Sequence, residues 1–193
     1  MQIIRGIENI PTLHNTVVTV GAFDGVHLGH LRILKEVKKQ ATQTGGISVV
    51  LTFDPHPQQV LFPDHKLVLI NTIDEKIAFI KNTGIDRLII IPFTFQFSQL
   101  SAEQFIKNFI VTKIGAKVMV MGPNHAFGKD RQGNRVNMLE LGEKSGLKMV
   151  QVEELIIDNQ TVSSTAIRHF IQNGETAKAE IMLGKRLEDK DNI

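Results

Sequence analysis

Five short runs of β-branched and other apolar residues limit most strongly how this chain can fold: VVTV at 17–20, ISVVLTF at 47–53, RLIIIPF at 87–93, KVMVMG at 117–122 and KMVQVEE at 148–154. Near-continuous hydrophobicity is the pattern of strands covered on both faces, not of strands with one wet side. Helical patterns lie between them. Leu31, Leu34, Val37 and Ala41 form an apolar stripe that ends before Gly45 and Gly46, and Ala102, Phe105, Ile106, Phe109 and Ile110 form another. Thr72 with Glu75, and Ser101 with Gln104, have the spacing of capping boxes at helix starts. Strand alternating with helix predicts an α/β fold, a doubly wound parallel sheet of about five strands with helices on both faces. Ligands of such a sheet bind outside the carboxyl ends of its strands, so the segments that follow each run are the ones to read for chemistry.

Composition narrows the classes of function. The 193 residues, 42% of them hydrophobic, suit one domain of ordinary size. No cysteine is present, which excludes disulfides, thiolate zinc sites and cysteine nucleophiles. Basic and acidic residues nearly balance, 22 against 20, and form no long basic block, so the charge argues only weakly for an anionic partner and a small phosphorylated ligand fits as well as nucleic acid. MQIIRGIENI lacks the apolar core of a signal peptide, and no stretch approaches the length of a membrane span, so a soluble, cytoplasmic protein is expected.

The segment after the first run, GAFDGVHLGH at 21–30, crowds three glycines, two histidines and an aspartate where a buried strand ends. Gly21 and Gly25 permit tight or left-handed backbone, and Gly29 leaves the first helical turn without a side chain where a ligand could approach. His27 and His30, three apart at a helix start, fall on one face. A helix N-terminus favours anions through its free N–H groups, and imidazoles add donors whose charge can rise beside negative charge. The usual GxGxxG and GxxxxGK[ST] loops are absent. His-x-x-His by itself is open to a structural pair, a metal site or a phosphate site; the glycines and the strand-to-helix setting favour phosphate.

Three further segments carry candidate chemistry. In FDPHP, Phe53 to Pro57, two prolines stiffen a strand exit, and Phe53 and Phe62 offer flat apolar surface for a ring, or simply core. Asp54 and His56 there are equally well turn residues. GPNHAFGKDRQGN at 122–134 holds the amide of Asn124, the ring of Phe127, the freedom of Gly128 and the cations Lys129 and Arg131, which could meet phosphate or solvent. In VSSTAIR, Ser163, Ser164 and Thr165 open a short helix that buries Ile167, Phe170 and Ile171 and ends near Gly174. Arg168, three residues after Thr165 and four after Ser164, could converge with those hydroxyls on one anion, or the segment could be an ordinary capped helix.

Taken together and in this order, the four segments resemble a known family over nearly the whole chain. GAFDGVHLGH is similar to the GxFDGxHxGH signature of the nucleotidyltransferase superfamily, with His27, Leu28, Gly29 and His30 as its HxGH core. FDPHP, the loop from Gly122, and VSSTAIR are similar to three elements of the FMN adenylyltransferase module of prokaryotic FAD synthetases, the last to an ISSTxxR segment. His125 stands where that family more often has Phe or Tyr, and Ala166 where many members have arginine.

The resemblance implies a Rossmann-like fold of nucleotidyltransferase type and direct adenylyl transfer from ATP to FMN, with magnesium bridging phosphates. It implies that His27, His30 and Arg168 are catalytic. Gly21, Phe23, Asp24, Gly29, Ser163 and Thr165 would serve ATP, and Phe53, Pro55, His56, Pro57, Phe62, Asn124 and Phe127 would serve FMN. Partners would be the small molecules ATP and FMN, with neither nucleic acid nor membrane. Residues 1–184 would form the adenylyltransferase domain, and 185–193 a tail where the family's riboflavin kinase barrel begins. With LGKRLEDKDNI stopping at Ile193, FAD from FMN but no FMN from riboflavin is expected. Another HxGH nucleotidyltransferase with a different phosphorylated acceptor is an alternative, against which FDPHP speaks. A non-catalytic flavin or nucleotide regulator is the other, against which the intact His27, Gly29, His30, Ser163, Thr165 and Arg168 speak.

Overall fold

The computed structural model describes residues 1–123 and 135–187. Its elements run β1 (Gln2–Arg5), β2 (Thr16–Val20), α1 (Leu28–Thr44), β3 (Ile47–Phe53), α2 (Pro57–Leu61), α3 (Ile73–Lys81), β4 (Arg87–Ile91), α4 (Phe95–Ser98), α5 (Ala102–Gln104) and a π-helical stretch, Phe105–Lys113. They continue with β5 (Ala116–Met121), α6 (Arg135–Lys144), β6 (Lys148–Gln151), a small ladder of β7 (Ile156–Ile157) with β8 (Gln160–Thr161), α7 (Ser164–Gln172) and α8 (Thr176–Leu183). Six strands pair in parallel in the order β1-β4-β3-β2-β5-β6. Every residue of β2 is buried, as are all but the first of β3 and β4, which is why those runs read as continuously apolar.

The two faces are distinct cores. On one, α1 lays Ile33, Leu34, Val37 and Ala41 against Val17, Val50, Val118 and Val120, and Ile80 from α3 joins them. On the other, Phe105, Ile106, Phe109, Ile110 and Ile114 cover Val18, Val20, Val49, Leu51, Ile89 and Met119. A third cluster joins α7 and α8 through Ile167, Phe170, Ala179, Met182 and Leu183, and it reaches Ile70 just ahead of α3. Helix ends follow local chemistry. Gly45 takes φ 61° and donates to the carbonyls of Ala41 and Thr42, ending α1, and reciprocal capping boxes at Thr72–Glu75 and Ser101–Gln104 start α3 and α5.

The structure differs from the expected outline in three places. The sheet has a sixth strand, β1, whose only buried residue is Ile4, too little for an apolar run. The runs at 87–93 and 148–154 stop early, at Ile91 and Gln151; Pro92 has no N–H to continue a ladder. The helix expected from Ala102 winds as a π-helix from Phe105, and this wider winding keeps Phe105, Ile110 and Ile114 together against the sheet. Among the described residues no helix is long and apolar enough to cross a membrane.

Packing predicts sharply different costs for two truncations. Leu34, fully buried between α1 and the sheet, should lose about 2–5 kcal/mol as Leu34→Ala. Ile3, 44% exposed on the edge strand β1, should lose less than about 1 kcal/mol as Ile3→Ala. Chemical denaturation of both variants checks the contrast.

Candidate functional site

Strand order locates the site before any side chain is considered. From β2 the chain passes through α1 to β3 on one side, and only after β4 does it return to place β5 on the other side of β2. The connections therefore reverse direction at β2 and β5, and the crevice outside their carboxyl ends is where such sheets take ligands. The exit from β2 is GAFDGVHLGH, and the exit from β5 enters 124–134, which lies outside the described residues together with Asn124, His125, Phe127, Lys129 and Arg131.

The loop after β2 is held from several directions. Gly21 donates to the Leu51 carbonyl at 3.0 Å, and Thr52 Oγ1 donates to the Ala22 carbonyl at 3.1 Å. Phe23, Gly25 and Val26 then take left-handed backbone, with φ 49°, 85° and 41°. Glycine does so freely, whereas a β-branched valine there costs about 1–3 kcal/mol. The sequence pointed to glycines as the flexible positions; the strain falls on Phe23 and Val26, both nearly inaccessible and both anchored in the core beside α1.

Asp24 is the organiser of this loop. Its carboxylate, 2% exposed, accepts from the backbone N–H groups of Ile70 at 3.1 Å and Asn71 at 3.4 Å and from Arg168 Nη1 at 2.5 Å. Burial pushes the carboxyl above its usual range, opposed by Arg168 and by those amides. Its own carbonyl accepts from Ser164 Oγ at 2.8 Å. Next along the chain, the Gly25 N–H donates to Asn71 Oδ1 and the Gly25 carbonyl accepts from Lys185 Nζ at 2.8 Å. Lys185 also lies 3.1 Å from the centre of the Phe79 ring, and burial lowers its ammonium to about 8. Neither Asn71 nor Lys185 carries a motif that would have marked it; each acts on a residue 46 or 160 positions away.

The two histidines are brought face to face. His27 is the N-cap of α1, its Nδ1 accepting the His30 N–H at 3.3 Å, and the imidazoles stack with centroids 3.6 Å apart at 17°. With Nδ1 an acceptor, Nε2 carries the proton of neutral His27 and is its remaining donor. Burial, then the positive charges of Lys185 and Arg168, lower His27 to about 4. Gly29 owes its identity to this stack: a Cβ there would lie 3.1 Å from the His27 ring and 3.5 Å from the Val162 carbonyl, so the space expected for a ligand is filled by the imidazole. Gly21 likewise faces the Phe23 ring, 3.2 Å from where a Cβ would stand.

The segment after β3 ends in a second histidine cap. His56 Nδ1 accepts the Gln58 N–H at 3.2 Å, Gln59 Oε1 accepts the His56 N–H, and Pro57 opens α2. Burial, then Lys76 and Arg168, lower His56 to about 4. Phe53 is in the core, its ring edge-on to Phe93 at 5.2 Å and tilted against Phe97 at 6.0 Å. Phe62 is the exposed ring of the pair, and Pro55 is exposed beside it. At the start of α7, Ser163 Oγ caps the Ala166 N–H at 3.2 Å, Ser164 holds the Asp24 carbonyl, and Thr165 is exposed. Ser164 and Arg168 thus converge on Asp24, leaving the remaining guanidinium N–H groups and the Thr165 hydroxyl as outward donors. Among the described residues no cluster of three histidines or carboxylates could hold a metal.

Comparison with known proteins agrees with this geometry. The sequence model of the family described as FAD synthetase matches residues 9–166. Relatives include the bifunctional riboflavin kinase/FMN adenylyltransferase of Buchnera aphidicola subsp. Schizaphis graminum, 35% identical over 96% of this chain and 60% of that protein. The protein of the same name from Listeria monocytogenes is 35% identical over 88% of this chain and 54% of its own length. The chain thus spans 60% or less of these two relatives. A Streptococcus pneumoniae crystal structure described as a macrolide-efflux protein superposes with a TM-score of 0.86 at 28% identity, covering 97% of this chain and 72% of that one. Pantoate-beta-alanine ligase from Francisella tularensis shares the fold, with a TM-score of 0.63 at 14% identity over 100% of this chain and 82% of the other.

The depressed histidines predict how stability responds to acid. Between about 6.5, the value of a free histidine, and about 4, the unfolded chain takes up protons at His27 and His56 that the folded chain refuses. Stability from these groups is therefore complete above pH 6.5 and falls as pH drops toward 4. Replacing His27 by glutamine should flatten that decline by up to about 3 kcal/mol in urea titrations run across the window, with little change in slope above pH 7.

Proposed function

The chain belongs to the FAD synthetase family, and we propose that it transfers the adenylyl group of ATP to FMN. The observation that carries this reading is the stacked His27–His30 pair capping α1 at the carboxyl edge of the sheet, where the strand order reverses. A phosphate oxygen of FMN forms a bond to the α-phosphorus of ATP while the bond from that phosphorus to the bridging oxygen breaks, the electron pair leaving with pyrophosphate. No covalent enzyme intermediate is required. Such a step asks the protein to align two anions and to stabilise the charge that shifts toward the leaving group.

Each part of the site has a task in that step. The N–H groups at the start of α1 and Nε2 of His27 donate to the triphosphate, with His30 stacked behind. Neutral imidazole suits binding near neutral pH, and the arriving negative charge raises its proton affinity, so its positive charge grows where phosphate charge accumulates. Arg168, oriented by Asp24, holds the pyrophosphate side with Thr165 and the Ser163-capped start of α7. Phe23 and Gly21 shape the loop against the nucleotide. Segment 53–57, with Pro55, His56 and Pro57, and the exposed Phe62 would receive the flavin, with Phe53 supporting from the core. Asn124 and Phe127 belong to the same FMN reading from sequence. Residues 1–184 form the transferring unit in this proposal, with Lys185 reaching back to its phosphate loop.

Among the described residues the buried carboxylate of Asp24 is already occupied by Ile70, Asn71 and Arg168, so magnesium would be held chiefly through the substrate phosphates. Its chemistry when bound is to neutralise charge on the phosphates; the donors of His27, Arg168 and the two helix starts do the orienting.

Incubating the pure protein with ATP, magnesium and FMN should yield FAD by chromatography, and His30→Ala should lower the rate about 10²- to 10³-fold. Nicotinamide mononucleotide offered in place of FMN should give no adenylylated product. Tight FMN binding without FAD formation, or product from the nicotinamide acceptor in its stead, would overturn the reading.

A further inference from the structure

Lys76 is a largely buried lysine whose ammonium pairs with nothing among the described residues. It sits in the first turns of α3, its N–H donating to the Thr72 carbonyl at 3.0 Å, and the residue is only 6% exposed. Among the described residues its ammonium makes no hydrogen bond and no ion pair within 4.0 Å. Its ammonium is not among the sealed polar atoms that lack a partner, so the stem is packed while the charge stays open to solvent or to an anionic ligand. The carboxylates that feel its charge are Asp24 and Asp54, and His56 feels it as a neighbouring cation. Asp24 is already engaged by Arg168, and Asp54 is exposed to solvent. Burial pulls the lysine below its usual range and those two carboxylates pull back, a balance that a nearby dianion would tip toward the charged form.

Its place in the chain explains why the cation is there. Ile70 and Asn71, which clamp Asp24 and Gly25 of the loop after β2, lead straight into α3, so that loop and Lys76 are fixed to one another by five residues of chain. On the other side lie Asp54 and His56 of the segment after β3. Lys76 thus follows closely on the clamp of the loop that receives the triphosphate, and its charge is felt by the segment that receives the flavin. An acceptor phosphate has to lie between that loop and that segment, since it is tethered to the flavin and must approach the α-phosphorus of ATP to about 3–3.5 Å. Of the other cations described, Arg168 serves ATP in the reading above, as do His27 and His30 when charged, and Lys185 is held on the Gly25 carbonyl and the Phe79 ring. We propose that Lys76 binds the phosphate of the flavin nucleotide, holding the attacking group in line; this rests on the FMN adenylyltransferase reading above. A single ammonium on a flexible stem suits a phosphate that must move during reaction better than a rigid bidentate fork would.

Riboflavin differs from FMN only in that phosphate, which makes the pair a direct test. Lys76→Met keeps the apolar stem and removes the charge. Flavin fluorescence titration should show FMN binding weakened about 10- to 100-fold and riboflavin binding unchanged. Calorimetry should show ATP affinity unchanged, and the melting temperature should change little because methionine keeps the packed stem. Equal loss for FMN and riboflavin would reduce Lys76 to packing, and loss confined to ATP would assign it to the triphosphate; either result overturns the proposal. A wild type that makes FAD while Lys76→Met binds FMN normally sinks this role alone, whereas a wild type that neither binds FMN nor makes FAD sinks the functional reading and this proposal with it.

Discussion

One buried carboxylate holds the site together. Asp24 joins three stretches of chain that are far apart in sequence, accepting from Ile70 and Asn71 before α3 and from Arg168 in α7. Each contact does structural and chemical work at once. The amides of 70 and 71 set the distance between the loop after β2 and α3, while the ion pair fixes the guanidinium of Arg168 against the same carboxylate. Left-handed backbone at Phe23 and Val26 is tolerable because the two residues between them, Asp24 and Gly25, are both anchored and their own side chains are sealed in the core. Without Asp24 the strand exit, the histidine stack and α7 would have no common reference.

The histidines show how a structural task sets a chemical one. His27 and His56 each spend Nδ1 on capping a helix, and each is buried, so each is held neutral with its proton on Nε2. Capping therefore chooses the tautomer and fixes the ring direction, two things a phosphate-binding imidazole needs in advance. The close stacking of His27 on His30 works to the same end, because two cationic rings 3.6 Å apart would repel. A dianionic ligand removes that objection by supplying the missing counter-charge.

Much of the frame was legible because it is written in periodic or short-range code. Central strands announce themselves as unbroken apolar runs since both faces are covered, and the capping boxes at Thr72 and Ser101 are exchanges between residues three apart. The edge strand β1 was not legible, having a single buried residue, and the π winding after Gln104 escaped because the same apolar stripe fits a narrower helix. Within the site, His27, His30 and Ser163 could be placed at helix starts from spacing alone. The links of Asp24 to Arg168, Gly25 to Asn71 and Gly25 to Lys185 follow no period and leave no local trace. Phe53 was ambiguous for a different reason: a phenylalanine at a strand end reads the same whether it faces a ligand or, as here, a cluster of other rings.

Gly25 is held by its N–H through Asn71 and by its carbonyl through Lys185, side chains that lie 46 and 160 residues further along the sequence. During synthesis the loop at 21–30 leaves the ribosome early, yet the last groups that fix it, Ser164, Arg168 and Lys185, lie 140 or more residues after their partners in it. The sheet can assemble around a loop that is still unset, and the site closes as one of the last events of folding.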